Sequence, residues 1–260
     1  MHEININDNS LRTDLILEKD LELKSIKKTT HNKLKIITNK YNNYKYTTIY
    51  FNDITDKDNF NNLLEVFIKE LKKYLTLSKK DKYLVIGLGN DKSTPDSLGP
   101  KVLDNILVTR YLYLLGDVSS GYSNVCSFEP NVTGNTGIET FDIIKSIIKE
   151  TKATKVIVID SLKTNNLNNL IKTIQITDSG ISPGSGVNNK RGELSKDKLK
   201  VDILSIGVPT VVDIKTLNND LDNLIVTPTN IDFIIEKLAL LIGKGINISL
   251  HKDFIRQNNY

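Results

Sequence analysis

Two aspartates stand where an open α/β sheet presents its chemistry. Asp160 closes the apolar run "KVIVID" (155–160), and Asp96 lies in "GLGNDKSTPDSLGP" (87–100), a long loop that follows a second apolar run from Tyr83. Ligands of such sheets bind in the crevice beyond the carboxyl ends of the strands. If the two strands are near neighbours, both carboxylates face one substrate. Two close carboxylates do not both ionise easily, so the pair can share a proton. One member then activates a water as base while the other protonates or polarises a peptide group. That hydrolase chemistry needs neither metal nor histidine. The structural alternatives are a helix N-cap for Asp96 and a strand-end carboxylate satisfied by loop amides for Asp160.

The remaining polar candidates rank below this pair. Asp213, in "GVPTVVD", also follows a strand and is expected to support the cleft from behind. Gly89 and Asn90 belong to the loop that carries Asp96. Gly184, Ser185 and Gly186, with Lys190 or Arg191, form the glycine-rich turn "SPGSGVNNKR" (182–191). Such a turn can offer backbone amides and a cation to an oxyanion, and a plain surface turn accounts for it equally. Asp178, in "TDSG", has the hydrophobic-Asp-Ser-Gly look of pepsin-like enzymes. Those need two copies of the signature on an all-β fold, so here it reads as a turn aspartate. A dinucleotide fingerprint would need a third glycine where Lys92 stands, and no Walker pattern is present.

The elements that must position these groups alternate between strand and helix. "KLKIIT" and "YKYTTIYF" read as an N-terminal β-hairpin turning through Asn39–Asn43. Phe60, Leu63, Leu64, Phe67, Ile68, Leu71 and Leu75 recur at helical spacing. Strands follow at 83–88, weakly at 122–128, and at 155–160, 171–177 and 201–206. Leu98 to Leu107 reads as a helix with Pro100 in its first turn. Thr136 and Glu139 form a capping-box pattern before the next helix. A last helix opens at Thr227-Pro228 and is expected to end at Gly243. This alternation predicts a three-layer αβα fold with a mostly parallel central sheet.

Composition narrows the chemistry further. The 260 residues are 39% hydrophobic and 25% charged, with a formal net charge of +4. The lysines are scattered rather than gathered in a patch, which argues against direct nucleic-acid binding. A single cysteine, Cys126, excludes an internal disulfide or CxxC site. His2, His31 and His251 lie near the ends, away from any central triad or zinc site. No apolar run reaches the roughly 20 residues of a membrane span, and "MHEININDNS" lacks the apolar centre of a signal peptide. The expectation is a cytoplasmic, soluble protein without metal or cofactor.

"GLGN", "TPDSLGPKV", "TGIET", "VID", "ITDSGISPGSGVNNKRGELS", "SIGVPTVVD" and "VTPTNID" occur in the order and spacing of the spore germination protease family, which the chain resembles from "LRTDL" to about Leu250. The fold and the strand-loop motif are also similar, more distantly, to hydrogenase-maturation endopeptidases. The resemblance implies an atypical aspartic-type endopeptidase that degrades the small acid-soluble proteins coating spore DNA, in the forespore or spore core. It matches the family's two proposed catalytic aspartates to Asp96 and Asp160, and implies a homotetramer. It also implies a zymogen that cuts itself after an acidic residue and before an apolar one. "LRTDLILEKD" then predicts cleavage between Asp14 and Leu15, with 1–14 a propeptide, 15–32 a flexible arm and 33–260 a single protease domain.

The chain departs from the family at Asn131, Thr133, Asn135, Ser182, Asn188 and around Lys163, and is shorter between Val212 and Val226. The alternative functions are a metal-recognising maturation endopeptidase, or a non-catalytic spore protein of the same fold that binds such substrates.

Overall fold

Asparagine-bearing two-residue turns build one side of the sheet. Strands β1 (Lys24–His31), β2 (Leu34–Tyr41) and β3 (Tyr44–Tyr50) are joined through Asn32-Lys33 and Asn42-Asn43, all four residues having positive φ. A type I′ hairpin turn requires positive φ at both central positions, and asparagine tolerates it better than most residues. The expected hairpin is thus part of a three-stranded meander. These features belong to a computed structural model describing residues 14–18, 24–119, 121–182, 192–214 and 224–253.

Two features fall within the expected arm, 15–32. Lys24–His31 pairs with β2, and Leu15 and Ile16 are buried, 2% and 4% exposed. Burial of two large aliphatic side chains offsets the entropy of ordering this stretch.

The sheet is mixed rather than mostly parallel. Its order is β1-β2-β3-β7-β8-β6-β4-β5, with β9 (Ile225–Val226) paired to β8. β4 (Lys82–Gly87), β5 (Asn124–Phe128), β6 (Lys155–Thr164) and β8 (Asp202–Asp213) form the parallel part. β7 (Thr173–Thr177) runs antiparallel to both β8 and β3 and so joins the meander to the parallel strands. β8 is longer than its apolar start suggested, because "GVPTVVD" continues it alongside β6.

Seven helices complete the described residues: α1 (Lys57–Lys72), α2 (Leu98–Leu103), α3 (Arg110–Leu115), α4 (Thr133–Thr136), α5 (Thr140–Thr151), α6 (Lys196–Leu199) and α7 (Ile231–Leu250). Strand alternation sorts the core into two faces. Val85, Ile157, Ile159, Ile174, Ile176 and Ile206 pack with α1, α2 and α7. Leu84, Ile86, Val156 and Val158 pack with Ile144 and Ile148 of α5 and Leu199 of α6.

Three boundaries differ from expectation. α7 passes through Gly243 to Leu250, because its glycines serve close approach rather than termination. A Cβ on Gly243 would lie 2.5 Å from Asn105 Cβ, and one on Gly245 would lie 2.4 Å from Phe67 Cδ1. The capping box is absent: Thr136 ends α4, and Glu139 is the residue before α5 without a side-chain cap bond. α2 stops at Leu103, several residues early.

Candidate active site

The glycines of the first loop let backbone fold onto backbone. A Cβ on Gly87 would meet Gly99 O at 2.4 Å, and one on Gly89 would meet Asp96 O at 1.9 Å. Gly89 also has φ +119°, a conformation that side chains rarely adopt. The Asn90 N–H donates to Asp96 O at 3.0 Å, and Asp96 N–H donates to Ser93 O at 2.7 Å. Asp96 therefore ends a 3-10 turn, Thr94–Asp96, folded back over Gly89. The position before α2 belongs to Ser97, whose hydroxyl donates to Thr94 O at 2.8 Å. The N-cap position of α2 is thus Ser97, one residue past Asp96.

Asp160 lies inside β6 rather than at its end, and is 7% exposed. The last β4–β6 pair is Gly87 with Ile159, and Leu88 N–H donates to Ile159 O at 2.8 Å. β6 runs on beside β8 to Thr164. Asp160 is thus the first residue of β6 past the end of its neighbour, which is why "VID" reads as a strand end. Alternation puts it on the face of Val158. Across the sheet it pairs with Gly207, which pairs in turn with Gln175. The turn that carries Asp96 contacts β6 and β8. Both aspartates accordingly stand at the carboxyl end of β4, Asp96 across Gly89 and Asp160 next to the residue that Leu88 bonds.

The other candidates disperse. Asp213 ends β8 and forms an ion pair with Lys163 at 2.8 Å, both side chains largely buried. It braces the extension of β6 and β8, well along the strands from Gly207. Asp178 accepts the Lys45 N–H at 2.7 Å and ties β7 to β3 as a turn aspartate. Gly184, Ser185, Gly186, Lys190 and Arg191 lie outside the described residues. The loop they belong to is closed at its base by Ile181 and Leu194, whose backbones exchange bonds of 3.0 and 2.8 Å.

The segment containing Asp14 and Leu15 lies on the sheet. Asp14 N–H donates to Lys163 O at 2.9 Å, and Lys163 N–H donates to the Asp14 carboxylate at 2.8 Å. Ile16 N–H donates to Gln175 Oε1 at 2.9 Å, while Gln175 Nε2 reaches Asp14 O at 3.5 Å. Glu18 accepts from Asn165 N–H at 2.8 Å and also from the Thr164 hydroxyl. Asp14 and Ile16 form one wall of a cavity of about 350 Å³; Gln175, Thr177, Ser205, Gly207 and Leu162 form another part of its lining. The Ser205 hydroxyl, on a residue 2% exposed, has no hydrogen-bond partner among the described residues.

Sequence reasoning missed Gln175, Ser205 and the grip of Lys163. The available signal was a glutamine at an inward position of "IKTIQIT", between isoleucines that face the opposite core.

Burial pushes the Glu129 carboxyl up, and Asp91 and Asp104 beside it add to the effect. Burial likewise raises the Cys126 thiol, which disfavours a thiolate. Among the described residues no group of three or more His, Cys, Asp or Glu side chains could hold a metal ion. No helix among them is long and apolar enough to cross a membrane.

Fold and site define an α/β protein with two aspartates near the carboxyl end of β4 and a separate cavity lined in part by its own N-terminal segment. The model of the germination protease family matches residues 5–222, and the chain belongs to that family. It is 33% identical to a germination protease of Clostridium acetobutylicum over 94% of this chain and 89% of that protein. It is 46% identical to one from Bacillus licheniformis over 68% of this chain, and 49% identical to one from Bacillus subtilis over 60%. Those two matches span only 50% and 44% of the relatives' lengths.

Proposed function

We propose that this chain is a spore endopeptidase made as a zymogen, which cuts itself between Asp14 and Leu15 and then degrades small acid-soluble spore proteins. Asp96 and Asp160 act as a proton-sharing pair without a cofactor. The ionised member takes a proton from water as its oxygen attacks the carbonyl carbon. The protonated member hydrogen-bonds the developing oxyanion, and a proton reaches the leaving nitrogen as the C–N bond breaks. The same reading makes the enzyme a homotetramer of the spore-core cytoplasm. Family membership supports the protease class.

The observation that carries the self-cleavage reading is the seating of Asp14-Leu15. An acidic residue followed by an apolar one, Leu15 being 2% exposed, is held by backbone bonds on β6, the strand that carries Asp160. While seated there it occupies the ground a substrate would need. The test is intact mass of the full-length protein across mildly acidic to neutral pH, beside Asp96→Asn and Asp160→Asn. Loss of 14 residues in the wild type and in neither variant is expected. An unchanged wild-type mass at every pH would falsify the self-processing mechanism and favour a substrate-binding relative.

A further inference from the structure

We infer that Gln175 is the residue that holds the peptide at its scissile bond, first the chain's own N-terminal segment and later the equivalent stretch of a substrate. The inference rests on the reading that Asp14–Leu15 is the bond cut. Gln175 contacts the backbone on both sides of that bond. Its carbonyl oxygen accepts from Ile16 N–H at 2.9 Å, a buried bond, and its amide nitrogen lies 3.5 Å from the carbonyl oxygen of Asp14. One planar amide thus spans the Asp14-Leu15-Ile16 backbone, and its donor sits at the carbonyl where an oxyanion would form.

Its place in the sheet fits that task. Ile174 and Ile176 belong to the core with α1 and α7, so Gln175 falls on the opposite face. That is the face of Asp160, with Gly207 between them in register. The glycine at the middle position makes room for the Leu162 side chain, which packs over it. A Cβ on Gly207 would lie 2.5 Å from Leu162 Cδ1, in space that now lines the cavity. Gln175 is itself 7% exposed. A buried strand glutamine is costly unless both ends of its amide are bonded, and here the two ends meet the scissile segment. The Ser205 hydroxyl, without a hydrogen-bond partner among the described residues, lines the same cavity and offers a polar contact there. Since the contacts go to backbone atoms, they suit any peptide with an acidic-apolar cleavage site and do not depend on this chain's side chains.

The experiment is a time course of self-cleavage by intact mass for full-length wild type, Gln175→Met and Gln175→Glu, at pH 5 to 8. Circular dichroism and the unfolding midpoint confirm that each variant is folded. Gln175→Met keeps the shape and loses both bonds; a rate about tenfold lower or less is expected, the scale of one or two lost hydrogen bonds. Gln175→Glu provides the readout that a merely structural role would not move. Its ionised carboxylate keeps the acceptor for Ile16 but cannot donate to Asp14 O, whereas the protonated carboxyl can do both. Its rate relative to wild type should therefore recover as pH falls. Equal rates for Gln175→Met and a self-cleaving wild type overturn the inference alone, as does a Gln175→Glu ratio that stays flat with pH. A wild type that never cleaves itself removes the proposed function, and the inference with it.

Discussion

Gly89→Ala tests whether the loop is built to hold Asp96 by backbone contact. Two costs add. The φ of +119° is a strained conformation for any residue with a Cβ, worth about 1–3 kcal/mol. The new Cβ would also stand 1.9 Å from Asp96 O, which is backbone and cannot swing aside like a side-chain tip. Relieving that clash moves the 3-10 turn and breaks the Asn90–Asp96 bond of 3.0 Å, about 1 kcal/mol more. The sum is about 3 kcal/mol, which for a chain of this size lowers the unfolding temperature by about 10 °C.

The paired control is Gly116→Ala. That glycine also has positive φ, +74°, but nothing lies within 4 Å of its Cβ position. Only backbone strain of about 1 kcal/mol applies. The assay is urea unfolding of both variants, followed for Gly89→Ala by the self-cleavage rate in the fraction still folded. Gly89→Ala should be clearly the less stable of the two, and its folded fraction should cleave far more slowly because Asp96 is displaced. Equal stability losses would show that Asp96 and Gly89 are not in the contact described, and the argument for a preset loop would fail.

Two other perturbations have signs set by the structure. Lys163→Met leaves the Asp213 carboxylate buried without its ion-pair partner, and should cost about 3–5 kcal/mol in urea unfolding; Lys163→Met with Asp213→Leu should cost distinctly less. His251 is buried, accepts from Ser123 N–H at 3.2 Å through Nδ1, and faces Leu107 O at 3.3 Å through Nε2. Burial lowers its pKa, so between the folded and unfolded values the unfolded chain binds more protons. Its contribution is complete above the ordinary imidazole value and is lost as pH falls through the depressed one. The urea midpoint should drop on acidification through this range, less steeply in His251→Gln.

How much of this was legible in the sequence depends on whether the signal was local. The end of β4 was visible because its apolar run stops at glycine; the run of β6 stops at Asp160 although the strand goes on to Thr164, and these two stops selected Asp96 and Asp160 as candidates. The meander was half visible: its hairpin has β-branched alternation, whereas "KSIKKTTH" is polar and becomes a strand only because β2 offers it an edge. The mixed order of the sheet depends on β7 running antiparallel beside β8, a long-range choice with no local mark. Gly243 looked like a helix stop because its true neighbour, Asn105, is distant in sequence. The sequence marked Asn131 and Asn135 only as departures from the family. In the fold Asn131 has φ +58°, which asparagine tolerates, and its side-chain oxygen accepts from Asn135 Nδ2 at 2.7 Å. The two substitutions form one local unit.

The continuation of β6 past Asp160 ties the proposed chemistry to its restraint. Over seven residues, this strand and the residue after it give the Ile159 carbonyl to the glycine loop, present Asp160, bind Asp14 at Lys163, and meet Glu18 through Thr164 and Asn165. Had the strand ended at Asp160, the N-terminal segment would lack its partner at Lys163, and nothing on β6 would hold Asp14. The ion pair of Lys163 with Asp213 ties that extension to β8 through residues outside the segment. Removal of the segment would therefore leave the docking edge intact, with the Lys163 N–H and carbonyl and the Gln175 amide open to the next peptide. On the proposed function the contacts that hold the N-terminal segment are also those that would receive a substrate, so a mutation that loosens the segment should weaken substrate binding as well.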